Sequence, residues 1–134
     1  MYEKGRSFIM AGGLVKAYEG NDFVYYHLLC QGFENIGKAI LLHHDYDKYG
    51  PLLKKEFNHS LDRILTEITT LEGEEFFSKK AKNQLLSLNE FYKRQRLRYG
   101  HKVDFKNTSN IKAGALHSEL VSHLNHLNKR FKDQ

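Results

Sequence analysis

The sequence has one cysteine, one proline and no tryptophan. A lone thiol, Cys30, has no partner within the chain, which excludes a disulfide scaffold and fits a reducing compartment. Its apolar neighbours suit it to a small core position. A chain whose only proline is Pro51 can hold long uninterrupted helices. No apolar run approaches the ~18–20 residues that a transmembrane helix needs, which argues against a membrane partner. The segment FIMAGGLV, residues 8–15, faintly imitates the apolar part of a secretory signal, but Glu3 spoils a basic leader and no convincing small-residue cleavage site follows. The expected location is the cytoplasm. There is no glycine-rich phosphate loop, no serine-centred elbow and no CxxC pair. Repeats, low-complexity stretches and period-two alternation are also lacking.

What is present is helical periodicity. At 134 residues the length suits one domain, 1–134, with bulk supplied by eight tyrosines and nine phenylalanines. Five apolar-periodic segments are separated by short polar breaks, and they predict an all-α antiparallel helical bundle. The first helix is expected at 4–18, weakened by Gly12 and Gly13. After YEGND, with Asn21 or Asp22 as cap, residues 22–45 form the most hydrophobic helix, apolar around most of its circumference and so central to the bundle. Pro51 suits the start of a third helix reaching Leu71. The acidic knot LEGEE suits the start of a fourth, 74–99, closed by Gly100. In a fifth helix, 110–131, Ala113, Leu116, Leu120, Leu124, Leu127 and Phe131 form a narrow stripe for packing or self-association. The Tyr25–Tyr26 pair reads as core.

Charge is unevenly placed. The net charge is +5, yet residues 79–106 alone carry nine lysines and arginines against Glu90 and Asp104. The remaining residues are slightly acidic. Localised positive charge attracts polyanions, of which nucleic acid is the commonest in a cell. The excess peaks in FYKRQRLRYGHKVDF, residues 91–105, where Lys93, Arg94, Arg96 and Arg98 precede Gly100 and His101. Such a stretch is either a solvated basic helix end favoured by the helix dipole or an arginine–histidine pair that works on a phosphate.

Three motifs occur in order along the chain. The first is the break YEGNDF followed by a tyrosine-rich helix and GFENIGKAILLHH, with the core Glu34-Asn35-Ile36-Gly37-Lys38-Ala39. The second is FNHSLDRIL, residues 57–65, with His59 and Leu61. The third is RQRLRYGH, an arginine four to six residues before a histidine. In this order they resemble HEPN domains, and the resemblance spans about residues 7–105. The last helix has no matching motif.

The resemblance implies an HEPN-type metal-independent endoribonuclease in which the ribose 2′-OH attacks the adjacent phosphate and leaves a 2′,3′-cyclic end. His101 would move the proton, and Arg94 or Arg96 would hold the phosphate oxygens with its planar fork. Seven residues apart, Arg94 and His101 lie nearly in phase on a helix. Arg98 shares that face, whereas Arg96 diverges by about 140° unless Gly100 turns the chain. Gln95 gives Arg94 the polar follower that the family usually has; Leu97 does not give it to Arg96. Val103 stands where the family's toxin branch has a tyrosine. Lys93 and Lys102 would be RNA-binding cations.

Glu34 and Lys38, an i,i+4 pair, would be supporting residues, with Glu34 either paired on its own helix or orienting an arginine of the fourth helix. Expected partners are RNA or a nucleotide, a second copy in a two-fold dimer, and an antitoxin or defence partner. The alternatives are a non-catalytic nucleotide-, RNA- or protein-binding module of the same shape and a plain interaction bundle. His59 reads as a packing histidine. No metal and no cofactor is expected: His43 and His44 point apart, His27 stands alone, and His123 and His126 lack a matching third ligand.

Overall fold

The computed structural model describes residues 1–94 and 111–132. It is built of six helices, with no strand among the described residues: α1 Tyr2–Ala17, α2 Asp22–His44, α3 Tyr46–Lys55, α4 Leu61–Glu72, α5 Lys79–Tyr92 and α6 Gly114–Lys132. The all-α bundle expected from the sequence is present. Among the described residues no helix is long and apolar enough to cross a membrane.

α2 is the central element. It packs against α1, α3, α4 and α5 and buries Leu29, Cys30, Phe33, Ile36, Ile40 and Leu41, each at most 1% exposed. Asn21 starts it, its side chain accepting from the backbone N–H groups of Phe23 and Val24. α1 runs antiparallel to α2, and the two approach closely at Gly5 and Gly32: a Cβ on Gly32 would stand 2.4 Å from Ile9 Cγ1, and one on Gly5 2.9 Å from the Gly32 carbonyl oxygen. The apolar stripe of α6 packs inward. Ala113, Leu116, Leu120, Leu124 and Leu127 are buried, α6 lies against α5 and α1, and Phe131 stacks on Tyr2 with ring centroids 4.7 Å apart. Tyr25 and Tyr26 are core, as expected.

The middle helices differ from the sequence-based expectation. The segment expected as one helix from Pro51 to Leu71 is two helices, broken over residues 56–60. Asp45, extended at φ −159°, closes α2 and caps α3 by accepting from Lys48 N–H, so α3 begins five residues before Pro51, which sits inside it. The fourth predicted helix starts late. Ser78, not the acidic knot, caps α5 by accepting from Ala81 N–H at 3.2 Å, and Glu119 of α6 holds that serine by its backbone N–H (2.8 Å) and its hydroxyl (2.5 Å). The described helix ends at Tyr92, with Lys93 as its cap. Lys93 and Arg94, expected to continue the helix, form a turn instead, and the rest of the expected continuation, residues 95–99, lies outside the described residues.

Candidate functional site

On α2 the residues His27, Gln31, Glu34 and Lys38 recur at steps of four, three and four, which places them on one helix face. The rest of α2 is largely apolar, so this is a polar seam in the central helix. Its middle member is Glu34, whose side chain is only 7% exposed. A buried carboxylate is tolerable only when its oxygens are well supplied with donors.

Three donors supply it. Lys38 Nζ lies 2.6 Å from Oε2. Oε1 is 2.7 Å from the Tyr92 hydroxyl and 2.9 Å from His59 Nδ1. Burial by itself raises the Glu34 pKa. Hydrogen bonds from Lys38 and Tyr92, the lysine charge and the bond from His59 outweigh it, so the pKa lies below the ordinary value. The carboxylate is therefore ionised and accepts only, which fixes His59 Nδ1 as a donor. Tyr92 shows the reciprocal effect: burial and then the neighbouring negative charge push its phenol far up, so it keeps its proton.

Each donor comes from a different part of the chain, and local sequence explains how. Lys38 is one helical turn beyond Glu34. Tyr92 belongs to the buried stripe Ala81, Leu85, Leu88 and Tyr92 of α5. His59 lies in the break between α3 and α4, with a left-handed φ of 60°. His and Asn adopt that region more readily than most residues, yet holding it still costs on the order of 1–3 kcal/mol. Asn89, buried and one turn before Tyr92, steadies the break. Its Oδ1 accepts from Leu61 N–H at 3.2 Å and its Nδ2 donates to Asp62 at 3.0 Å. Asn89 thus caps α4 from another helix, since Ser60 makes no side-chain cap. The His59 ring meets Tyr92 edge-on with centroids 5.5 Å apart, and the His27 ring lies tilted against Tyr92 at 5.6 Å. Lys38 Nζ also reaches Asn58 Oδ1 at 3.5 Å.

Of the residues singled out from the sequence, the structure brings together Glu34 and Lys38 as an ion pair. Glu34 does not orient an arginine among the described residues; its oxygens are taken by Lys38, His59 and Tyr92. Lys93 and Arg94 are exposed in the turn that follows Tyr92. Arg96, Arg98, His101 and Lys102 lie outside the described residues. His59 is not in a helix, as FNHSLDRIL suggested, but in the break before one.

Three other described histidines have identified partners. His123 stacks on Phe76 at 3.8 Å and bonds its carbonyl oxygen at 2.5 Å. His117 meets the Tyr25 hydroxyl at 2.8 Å. His44 faces Glu72, which accepts from Arg130. Among the described residues no three histidine, cysteine, aspartate or glutamate side chains gather as a metal-binding group.

Sequence reasoning missed Tyr92 and Asn89. A signal existed: Asn89 is a polar residue next to the apolar stripe of α5, and a polar residue at a buried position needs a partner. Compared with family models, with curated proteins and with solved structures, the chain matches none.

Proposed function

We propose that the chain is an RNA-directed helical bundle of the HEPN type, acting as a metal-independent endoribonuclease in the cytoplasm. In this reading Arg94 or Arg96 holds the phosphate and His101 moves the proton. Lys93, Arg98 and Lys102 add charge along the RNA backbone. A two-fold dimer would set two such sets against one phosphodiester, and control by an antitoxin or defence partner fits the resemblance.

The observation that supports this most is the ionised Glu34 carboxylate. It is buried where α2, the α3–α4 break and the last turn of α5 meet, and it grips α5 through Tyr92, two residues before Arg94. A buried charge of this kind is costly to keep, and perturbed carboxylates with several specific partners concentrate at functional sites. Here it fixes the point from which the most basic segment of the chain departs.

The test is RNA cleavage by the purified protein in the presence of a chelator. Cleavage that leaves 2′,3′-cyclic ends and is lost in His101→Ala supports the proposal. RNA bound with a steep salt dependence but left intact would instead make the protein a binding module. Failure both to bind and to cut would leave an interaction bundle.

A further inference from the structure

We propose that the outer face of α1 is a self-association surface, on which two copies of the chain pair antiparallel about a two-fold axis. This gives the dimer of the reading above a surface, and it rests on the exposed residues of α1 rather than on catalysis. The stripe of α6 that suggested self-association is buried in the bundle and closed to a second copy. α1 is open to one.

Two observations carry it, exposure and self-complementarity. α1 buries one side through Tyr2, Gly5, Ile9 and Gly12. Its other side is apolar as well: Met10 is 55%, Leu14 62% and Tyr18, the cap of the helix, 83% exposed. These three leave on the order of 400 Å² open, the size of the largest apolar patch on a typical protein, which is often functional. Within that face Ser7, Ala11, Leu14 and Tyr18 recur at steps of four, three and four, the spacing of a seam between paired helices. They run from small at one end to large at the other. An antiparallel two-fold pair sets Ser7 against Tyr18 and Ala11 against Leu14 of the second copy, small against large. A parallel pair would set Tyr18 against Tyr18 and Ala11 against Ala11, crowding one end and leaving a gap at the other. The antiparallel register also brings the exposed Lys4 of each copy toward the exposed Glu19 and Asp22 of the other. Parallel pairing would oppose Lys4 to itself.

The pattern selects the occupant. A closed two-fold interface uses the same patch twice, so the patch must match its own reverse; an unlike partner would place no such demand on it. The area sets the strength. Specific interfaces bury about 600–1,000 Å² per partner. With Ser7, Ala11, Ala17 and the charges at both ends added to the three apolar side chains, this face reaches the low end of that range. The dimer is therefore weak and concentration-dependent.

The experiment is sedimentation equilibrium of the full chain over a wide concentration range, which should show monomer and dimer in exchange. Leu14→Asp changes a side chain that is 62% exposed in the single chain, so it should fold normally by circular dichroism. It should weaken the dimer by about 30-fold or more. Lys4→Glu and Glu19→Lys should each weaken it alone. An equimolar mixture of the two should recover it, because the mixed pair has opposite charges at both contacts. For the register, Ala11→Cys mixed with Leu14→Cys should cross-link under mild oxidation faster than either variant with itself; Cys30 is buried and takes no part. A wild-type chain that stays monomeric throughout overturns the inference, as does a folded Leu14→Asp protein that dimerises like wild type. A charge-reversed mixture no tighter than its components, or Leu14→Cys that cross-links with itself as fast as the mixture, overturns the antiparallel pairing. None of these measurements reads RNA cleavage, so the ribonuclease proposal stands or falls separately on the assay above.

Discussion

Two carboxylates in this bundle are each served by a cation and a histidine, and they sit in opposite circumstances. Glu34 accepts from Lys38, His59 and Tyr92 and is almost wholly removed from water. Glu72, at the end of α4, accepts from Arg130 of α6 at 2.8 Å and faces His44 of α2 at 3.4 Å, with all three side chains between 27% and 31% exposed. Both pKa values lie below the ordinary carboxylate range. In both, burial pushes upward and is outweighed by hydrogen bonds and positive charge. The chemistry is alike, and the difference in solvent decides what each is worth. A half-exposed pair sheds little hydration and gains little, typically 0–1 kcal/mol. A buried set must replace the hydration it loses with several good bonds, and removing one member strands the others.

The largest expected effect comes from emptying the buried site. Glu34→Ala leaves the Lys38 ammonium, itself 12% exposed, without its anion, and should lower stability by about 3–5 kcal/mol in chemical denaturation. The double variant Glu34→Leu with Lys38→Met removes both charges and should recover a large part of that loss. A Glu34→Ala protein as stable as wild type would show that water already reaches the site and would remove the contrast with Glu72.

Tyr92→Phe is the intermediate case. It deletes one donor to the carboxylate and keeps the ring packed against His59 and His27. Leaving a buried acceptor less satisfied should cost about 1–3 kcal/mol. It should also weaken the depression of the Glu34 pKa. The folded pKa of Glu34 is below its unfolded value, so its contribution is complete above the ordinary carboxylate range. It is lost as pH falls through the lowered folded value, below 4.5. In Tyr92→Phe that loss should be smaller and should end at a higher pH, which a series of denaturation curves at descending pH would detect.

The fold was legible because helical periodicity is a property of neighbours in sequence. The apolar stripe from Ala113 to Phe131 and the nearly continuous apolar surface of α2 read directly as a packed helix and a central one. The break at residues 56–60 was not legible. Its cause is remote: Asn89 caps α4 across 28 residues of sequence, and Asp45 draws the start of α3 away from Pro51. The site was half legible for the same reason. Glu34 and Lys38 share one helix face, so their spacing announced the pair. His59 and Tyr92 reach the same carboxylate from 25 and 58 residues away, and nothing local marks that convergence.

The smallest effect belongs to the exposed end of the comparison. Glu72→Gln keeps the shape of the side chain and removes the charge that Arg130 and His44 share. It should cost no more than about 1 kcal/mol at low salt. The cost should shrink further as salt is raised, because the interaction is open to counterions. Glu34→Gln measured in parallel should show nearly the same loss at low and high salt, since the Glu34 and Lys38 side chains are only 7% and 12% exposed. The salt dependence separates the two sites more cleanly than the size of either effect. A screened pair, here between α4 and α6, yields to counterions as salt rises. An unscreened charge sets the position of whatever is bonded to it, and at Glu34 that is the histidine in the α3–α4 break and the end of the helix leading into the basic segment.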